Sequence, residues 1–272
     1  MRDLPQAHMT PPQPRDYHGA NWGGLQTLYY REIKRFWKIG VQTIFAPVVT
    51  SLLYMMVFSV ATRGASPPID GTPFTQFIAP GLVMMAVLNN AFANSSSSIM
   101  QAKMMGLASD FLTPPLSPGE LAIGFSAGAA TRGVMVGVAT AICIWPFAPM
   151  GLAHPWAILY FGVGASLIMA LIGVLAGLWA EKFDHMAAAT NFIIMPLTFL
   201  SGTFYLVDRL PEPFRTLSHV NPMFYLIDGF RYGFIGQADG SIAIGVVLTG
   251  GLTVALGLWT WLLFRTGYKL KT

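Results

Sequence analysis

The side chains able to do chemistry in this sequence are few and scattered. The densest group is Glu181-Lys182-Phe183-Asp184-His185, where two carboxylates and an imidazole fall within five residues. Such a set could ligate a metal or pass protons. No further ligands cluster around it, and His8, His18, His154 and His219 fall at no ligand spacing, so a solvated loop accounts for it better. Cys143 is the single cysteine, with no partner for an intrachain disulfide and none for a metal set. Phosphate cradling by G-x-x-x-x-G-K-[ST] is also missing, because Gly-Lys never occurs. Fifteen methionines read as adaptable apolar packing rather than a copper path. The expected catalytic, cofactor-binding and metal residues are therefore none.

Three polar constellations remain. Asn90, Asn94 and Ser97, spaced 4 and 3, share one helical face in a stretch that also carries Asn89 and Ser95 to Ser98. They can hydrogen-bond between packed helices or line a solute path. Arg132 stands inside a long apolar run. It either snorkels to an interface or faces a polar cavity or an acidic partner, with Asp184 and Glu181 as candidates. Asp228 and Arg231 are three residues apart and can pair on a helix, holding local structure or touching a solute.

The elements that carry these residues are dictated by composition. The chain has 272 residues, 54% hydrophobic and only 10% charged, with a mean hydropathy of +0.55. A soluble domain carries about 25% charge; 28 charged side chains cannot cover a soluble globule of this size. The expected class is all-α, a polytopic membrane protein. Its net charge of +4 fits cytoplasmic Lys/Arg better than nucleic-acid binding. Residues 1–21 lack the apolar core of a signal peptide and read as a disordered cytoplasmic tail. Residues 22–39 form an amphipathic interface helix, with Trp22, Leu25, Tyr29, Ile33 and Phe36 on one face and Arg31, Lys34, Arg35 and Lys38 mainly on another. Six apolar stretches follow at about 41–61, 77–100, 121–148, 156–180, 187–207 and 242–264, each near the ~20 residues a span needs. With the N-terminus inside, Lys and Arg divide eleven to four in favour of the inner connections, which places both termini in the cytoplasm.

The external connection 208–236 is too apolar and aromatic for a solvated loop. A short helix within Pro211 to Val220 is expected. Asn221-Pro222 then caps and opens a second, which Gly236 stops. The two would dip into the outer leaflet as a re-entrant hairpin that satisfies its own backbone.

Six spans, a basic amphipathic N-terminal helix and Ser201-Gly202-Thr203-Phe204-Tyr205…Leu210-Pro211…Asn221-Pro222…Tyr225…Asp228-Gly229…Arg231 resemble the permease subunit of the bacterial ABC-2 exporter family. The similarity is greatest to its short drug, polysaccharide and nodulation-factor branch, and covers the chain from about Trp22 onward. It implies a type V exporter-like fold in the bacterial cytoplasmic (inner) membrane. The partners implied are a second copy of the chain and two separate ATPase subunits, which bind ATP and Mg. The solute implied is amphipathic, glycosylated or lipid-linked. The connection Gln101 to Glu120 would enter a groove of the ATPase, with Asp110 and Phe111 docking there and Arg31, Lys34 and Lys38 as a second contact. An ion-coupled carrier would want an acidic or imidazole relay within the membrane, and a lipid-modifying enzyme a cluster of ionisable groups at one depth. All twelve acids fall outside the six spans or near their ends.

Overall fold

The computed structural model describes residues 19–61, 71–106 and 115–269. Asp110 and Phe111 lie outside them. Nine helices, besides one 3-10 turn at Val207–Arg209, follow one another among these residues: α1 Trp22–Trp37, α2 Val41–Ala61 and α3 Phe74–Met104, then α4 Pro118–Ile144 and α5 Pro155–Trp179. After them come α6 (183–199), α7 Phe214–Val220, α8 Pro222–Ile235 and α9 Ile242–Thr266. No strand forms among the described residues. Five helices (α2, α3, α4, α5 and α9) are long and apolar enough to cross a membrane.

The helix starts follow from local chemistry. Asn21 caps α1 by accepting from the Gly24 amide at 2.9 Å. Ser117 and Glu120 form a reciprocal capping box on α4, with Pro118 in the first turn, where its missing N–H costs nothing. The Glu120 carboxylate also accepts from the Asn21 amide, so the starts of α1 and α4 are tied together. The end of α5 is closed from outside. Buried Lys103 Nζ donates to the carbonyls of Gly177 (3.3 Å), Leu178 (2.8 Å) and Ala180 (2.6 Å). A cation there satisfies orphan carbonyls and matches the negative end of the helix dipole.

Helix α3 is the axis of the subunit, and glycines let its neighbours approach. A Cβ at Gly173 of α5 would sit 2.2 Å from Ser95 Oγ and 2.5 Å from the Phe92 carbonyl; one at Gly177 would sit 3.0 Å from Ile99. On α4, Gly133 and Gly137 meet Ala91 and Val87 in the same way, while Gly124 and Gly128 receive Leu28 and Glu32 of α1. These small-xxx-small faces bring helix axes close where apolar burial supplies little drive. The most apolar window of α3 is 83% buried within the chain, against 17% for α2 and 11% for α9, which are peripheral.

The contacts sort the loops onto two faces. Asn21–Glu120, Lys103–Ala180, the stacked rings of Phe125 and Phe264, and Lys269–Glu181 gather both described chain ends on one face. The opposite face carries the hairpin α7–α8. Asn221 caps α8 through Met223 N at 3.0 Å, and Gly236 closes it at φ +80°. The fifth apolar stretch departs from its expected 187–207 boundaries. Its helix starts at Phe183, contains a π turn at Thr190–Ile194, and ends at Phe199. It is roughly 25 Å long. It stops because Gly202 takes φ +73° in the turn that follows, and Ser201 Oγ and Thr203 Oγ1 both donate to the Thr198 carbonyl.

Candidate functional site

A chain of polar contacts runs from α1 through α3 to α4. Glu32 sits on the buried face of α1 and is fully enclosed. The bare backbone at Gly128 lets α1 lie close enough for this, since a Cβ there would fall 2.5 Å from Glu32 Cβ. Its carboxylate accepts from Ser98 Oγ at 2.8 Å and from Arg35 Nε and Nη2 at 3.3 and 3.2 Å. Arg35 also donates to the Asn94 carbonyl at 2.7 Å, to Asn94 Oδ1 at 2.9 Å and to Ser97 Oγ at 3.3 Å. Arg132 reaches the same Asn94 Oδ1 at 3.3 Å and Asn90 Oδ1 at 3.1 Å. A buried carboxylate is tolerable only with such partners.

Asn90, Asn94, Ser97 and Arg132 are thus brought together, in two roles along one face. Asn94 and Ser97 join α3 to α1. Asn90 and Arg132 border a cavity of about 500 Å³ between α2, α3, α4 and α6. Its wall mixes Gln42, Thr43, Thr50, Ser51 and Thr190 with Pro47, Met85, Phe92 and Met195. Arg132 pairs with neither expected acid. It lies midway along α4, whereas Glu181 is on the face that gathers the described chain ends, where Lys269 Nζ binds it at 2.6 Å and holds its carboxyl below the usual range.

Glu32 was not singled out by the sequence, and Arg35 was read only as part of a basic face. The buried face of α1 is Leu28, Glu32 and Phe36, while Trp22 is 74% exposed. The available signal was an acid placed three residues before an arginine, on a helix preceding a span rich in Asn and Ser. Lys34 and Lys38 are exposed and Arg31 half-buried, all free of this network.

The hairpin residues form a second polar centre. Asp228 and Arg231 are each 2% exposed, with Oδ1 and Nη1 3.8 Å apart. Asp228 accepts from the amides of Asp239 and Gly240, both at 2.9 Å. Arg231 Nη2 donates to the Gly202 carbonyl at 2.6 Å, and its guanidinium lies 4.0 Å from the centre of the Phe77 ring. Asn221 Nδ2 donates to the Leu197 carbonyl at 2.6 Å, and Pro222 opens α8. The pair is buried and fastens α8 to the turn after α6.

No group of three or more His, Cys, Asp or Glu able to hold a metal occurs among the described residues. Residues 24–235 match the family described as ABC-2 type transporter. The chain is similar to the inner membrane transport permease YadH of Escherichia coli K12, at 36% identity over 92% of this chain and 98% of the relative. It is similar also to Nodulation protein J of Rhizobium leguminosarum bv. viciae, at 24% identity over 84% and 87%, and of Sinorhizobium fredii, at 25% over 65% and 68%. Apolar crossing helices, the fastened turn at Gly202 and this breadth of similarity converge: the chain belongs to the ABC-2 type transporter family, whose members are transmembrane subunits of ATP-binding-cassette transporters.

Proposed function

We propose that the chain works as a homodimeric exporter permease in the bacterial inner membrane, with both termini cytoplasmic and two separate ATPase subunits beneath it. ATP and Mg bind those partners, and this chain does no bond chemistry. On this reading α6 is the fifth of six crossings and α7–α8 is re-entrant. The observation that carries the proposal is the continuous contact from Glu32 and Arg35 on the interface helix to Asn90 and Arg132 on the cavity wall. A push on α1 reaches the solute-facing wall through the shared acceptor Asn94 Oδ1, alongside the direct seating of α1 on α4 at Gly124 and Gly128 and the Tyr29–Thr131 bond. Net transport requires two states of the cavity with different solute affinity, and a bonded path between the cytoplasmic face and the cavity supplies the means to switch them.

Exposed Lys34 and Lys38, with Arg31, are available to an ATPase surface, and Asp110 and Phe111 would dock beside them. The enclosed Asp228–Arg231 pair keeps the hairpin in place. The mixed cavity wall suits an amphipathic or glycosylated solute. The test is purification of the full chain with its co-expressed ATPase and reconstitution of the complex. We expect stable co-purification, weakened by the triple charge reversal Arg31→Glu, Lys34→Glu, Lys38→Glu. Absence of any associated ATPase, with solute export surviving ATP depletion, would overturn the proposal.

A further inference from the structure

We infer that Arg132 forms a receptor for an oxyanion, the carboxylate or phosphate head of a molecule whose apolar body fills the cavity between α2, α3, α4 and α6. The inference deepens the reading above by naming the class of solute. Its first support is the charge inventory. Glu32 is matched by Arg35. No ion pair among the described residues includes Arg132, which meets only the amide oxygens of Asn90 and Asn94. Amide oxygens satisfy donors but cancel no charge. The second support is donor capacity. A guanidinium carries five N–H groups in a planar fork; here Nη1 and Nη2 each make one contact, which leaves each a second N–H.

The third support is the cavity itself. Among the described residues, Arg132 is the sole charged side chain on its wall. The remainder is neutral polar groups such as Asn89 and Thr50, and apolar ones such as Phe92 and Met195. An unmatched cation in a medium of low dielectric attracts an anion far more strongly than in water. Arginine binds carboxylate and phosphate through paired, charge-assisted hydrogen bonds. A volume of about 500 Å³ accepts a head and several methylenes. Phosphatidylglycerol from the inner leaflet and a free acidic amphiphile share this chemistry.

The test uses the purified full chain in phosphatidylcholine nanodiscs, without ATPase or ATP, so that failure of the exporter reading leaves it intact. Binding of cis-parinaric acid and of its methyl ester is followed by fluorescence, with empty nanodiscs subtracted. We expect the acid to bind at least tenfold more tightly than the ester, Arg132→Gln to erase that preference, and Arg132→Lys to restore part of it. Thr50→Glu, which adds an acid to the facing wall and leaves Arg132 in place, should erase it too and serves if Arg132→Gln fails to insert. Competition by added phosphatidylglycerol, seen with wild type and absent in the variants, supports the site with lipid as its occupant. Lack of competition supports it with a solute acid. Equal affinity of wild type for acid and ester, or a preference surviving in both Arg132→Gln and Thr50→Glu, would overturn the inference.

Discussion

Removing the carboxylate at the head of the polar chain tests whether that chain is mechanical or merely adjacent. Glu32 accepts three hydrogen bonds, from Ser98 and twice from Arg35. Breaking a buried ion pair by deleting one partner costs about 3–5 kcal/mol. The Arg35 side chain is 25% exposed and keeps its bonds to Asn94, so the lower end applies. Glu32→Ala should thus cost about 3 kcal/mol, and Arg35→Ala, which strands the fully enclosed Glu32 carboxylate, about 5 kcal/mol. The double variant should cost only about 6 kcal/mol, because the second deletion removes a charge already stranded by the first. The coupling is then about 2 kcal/mol. Reversible SDS unfolding of the purified chain in mixed micelles measures all four corners of the cycle. Contacting residues in one network couple by 0.5–3 kcal/mol. A coupling below about 0.5 kcal/mol, with both single variants near wild type, would refute the reasoning.

Other expectations follow from packing and charge. Gly173→Ala would drive a methyl into Ser95 Oγ and the Phe92 carbonyl, and should lower stability by about 1–3 kcal/mol; Gly251→Ala, with nothing within 4 Å, should instead raise it by up to about 1 kcal/mol in the same unfolding assay. Asn221→Ala loses the cap on Met223 and the bond to Leu197, and should cost about 2 kcal/mol. Asp239, outside the spanning helices, has its carboxyl pushed up to about 6, first by burial and then by neighbouring Asp228. A carboxyl whose folded pKa is raised binds its proton more tightly in the folded state, so stability is greatest at acid pH and falls as pH rises through about 6. Asp239→Asn should melt above wild type at pH 7.5, and the gap should shrink towards pH 5; a constant gap would contradict this.

Much of the fold was legible because a bilayer imposes one rule on every crossing. Length and apolarity located the five long helices, and Asn221-Pro222 and Gly236 marked α8 because cap chemistry is local. The end of α6 was missed because apolar residues continue past Phe199 through the turn at Gly202, and hydropathy does not register a positive φ. The site was harder to read. Asn90, Asn94, Ser97 and Arg132 could be singled out because polarity is rare inside spans. Glu32 could not, because its burial depends on a glycine 96 positions later, Gly128, that leaves room for it. Of the alternatives left open for Arg132, the two candidate acids are the ones the structure does not bring to it. Sequence search favours acids, whereas the structure offers two amides at the right height on α3.

The contrast between α3 and α2 bears on how such a protein changes its cargo over generations. Around α3, glycine after glycine faces a neighbour at a distance that admits no added methyl, so almost any substitution there threatens the whole subunit. Helix α2 contributes much of the cavity wall yet is only thinly covered by the rest of the chain. Its exposed cavity-facing positions, among them Gln42 and Thr50, can be replaced with little loss of the frame. With the cavity taken as the solute's, as proposed above, new preferences are accessible by drift on one helix, while the inherited architecture stays fixed on another.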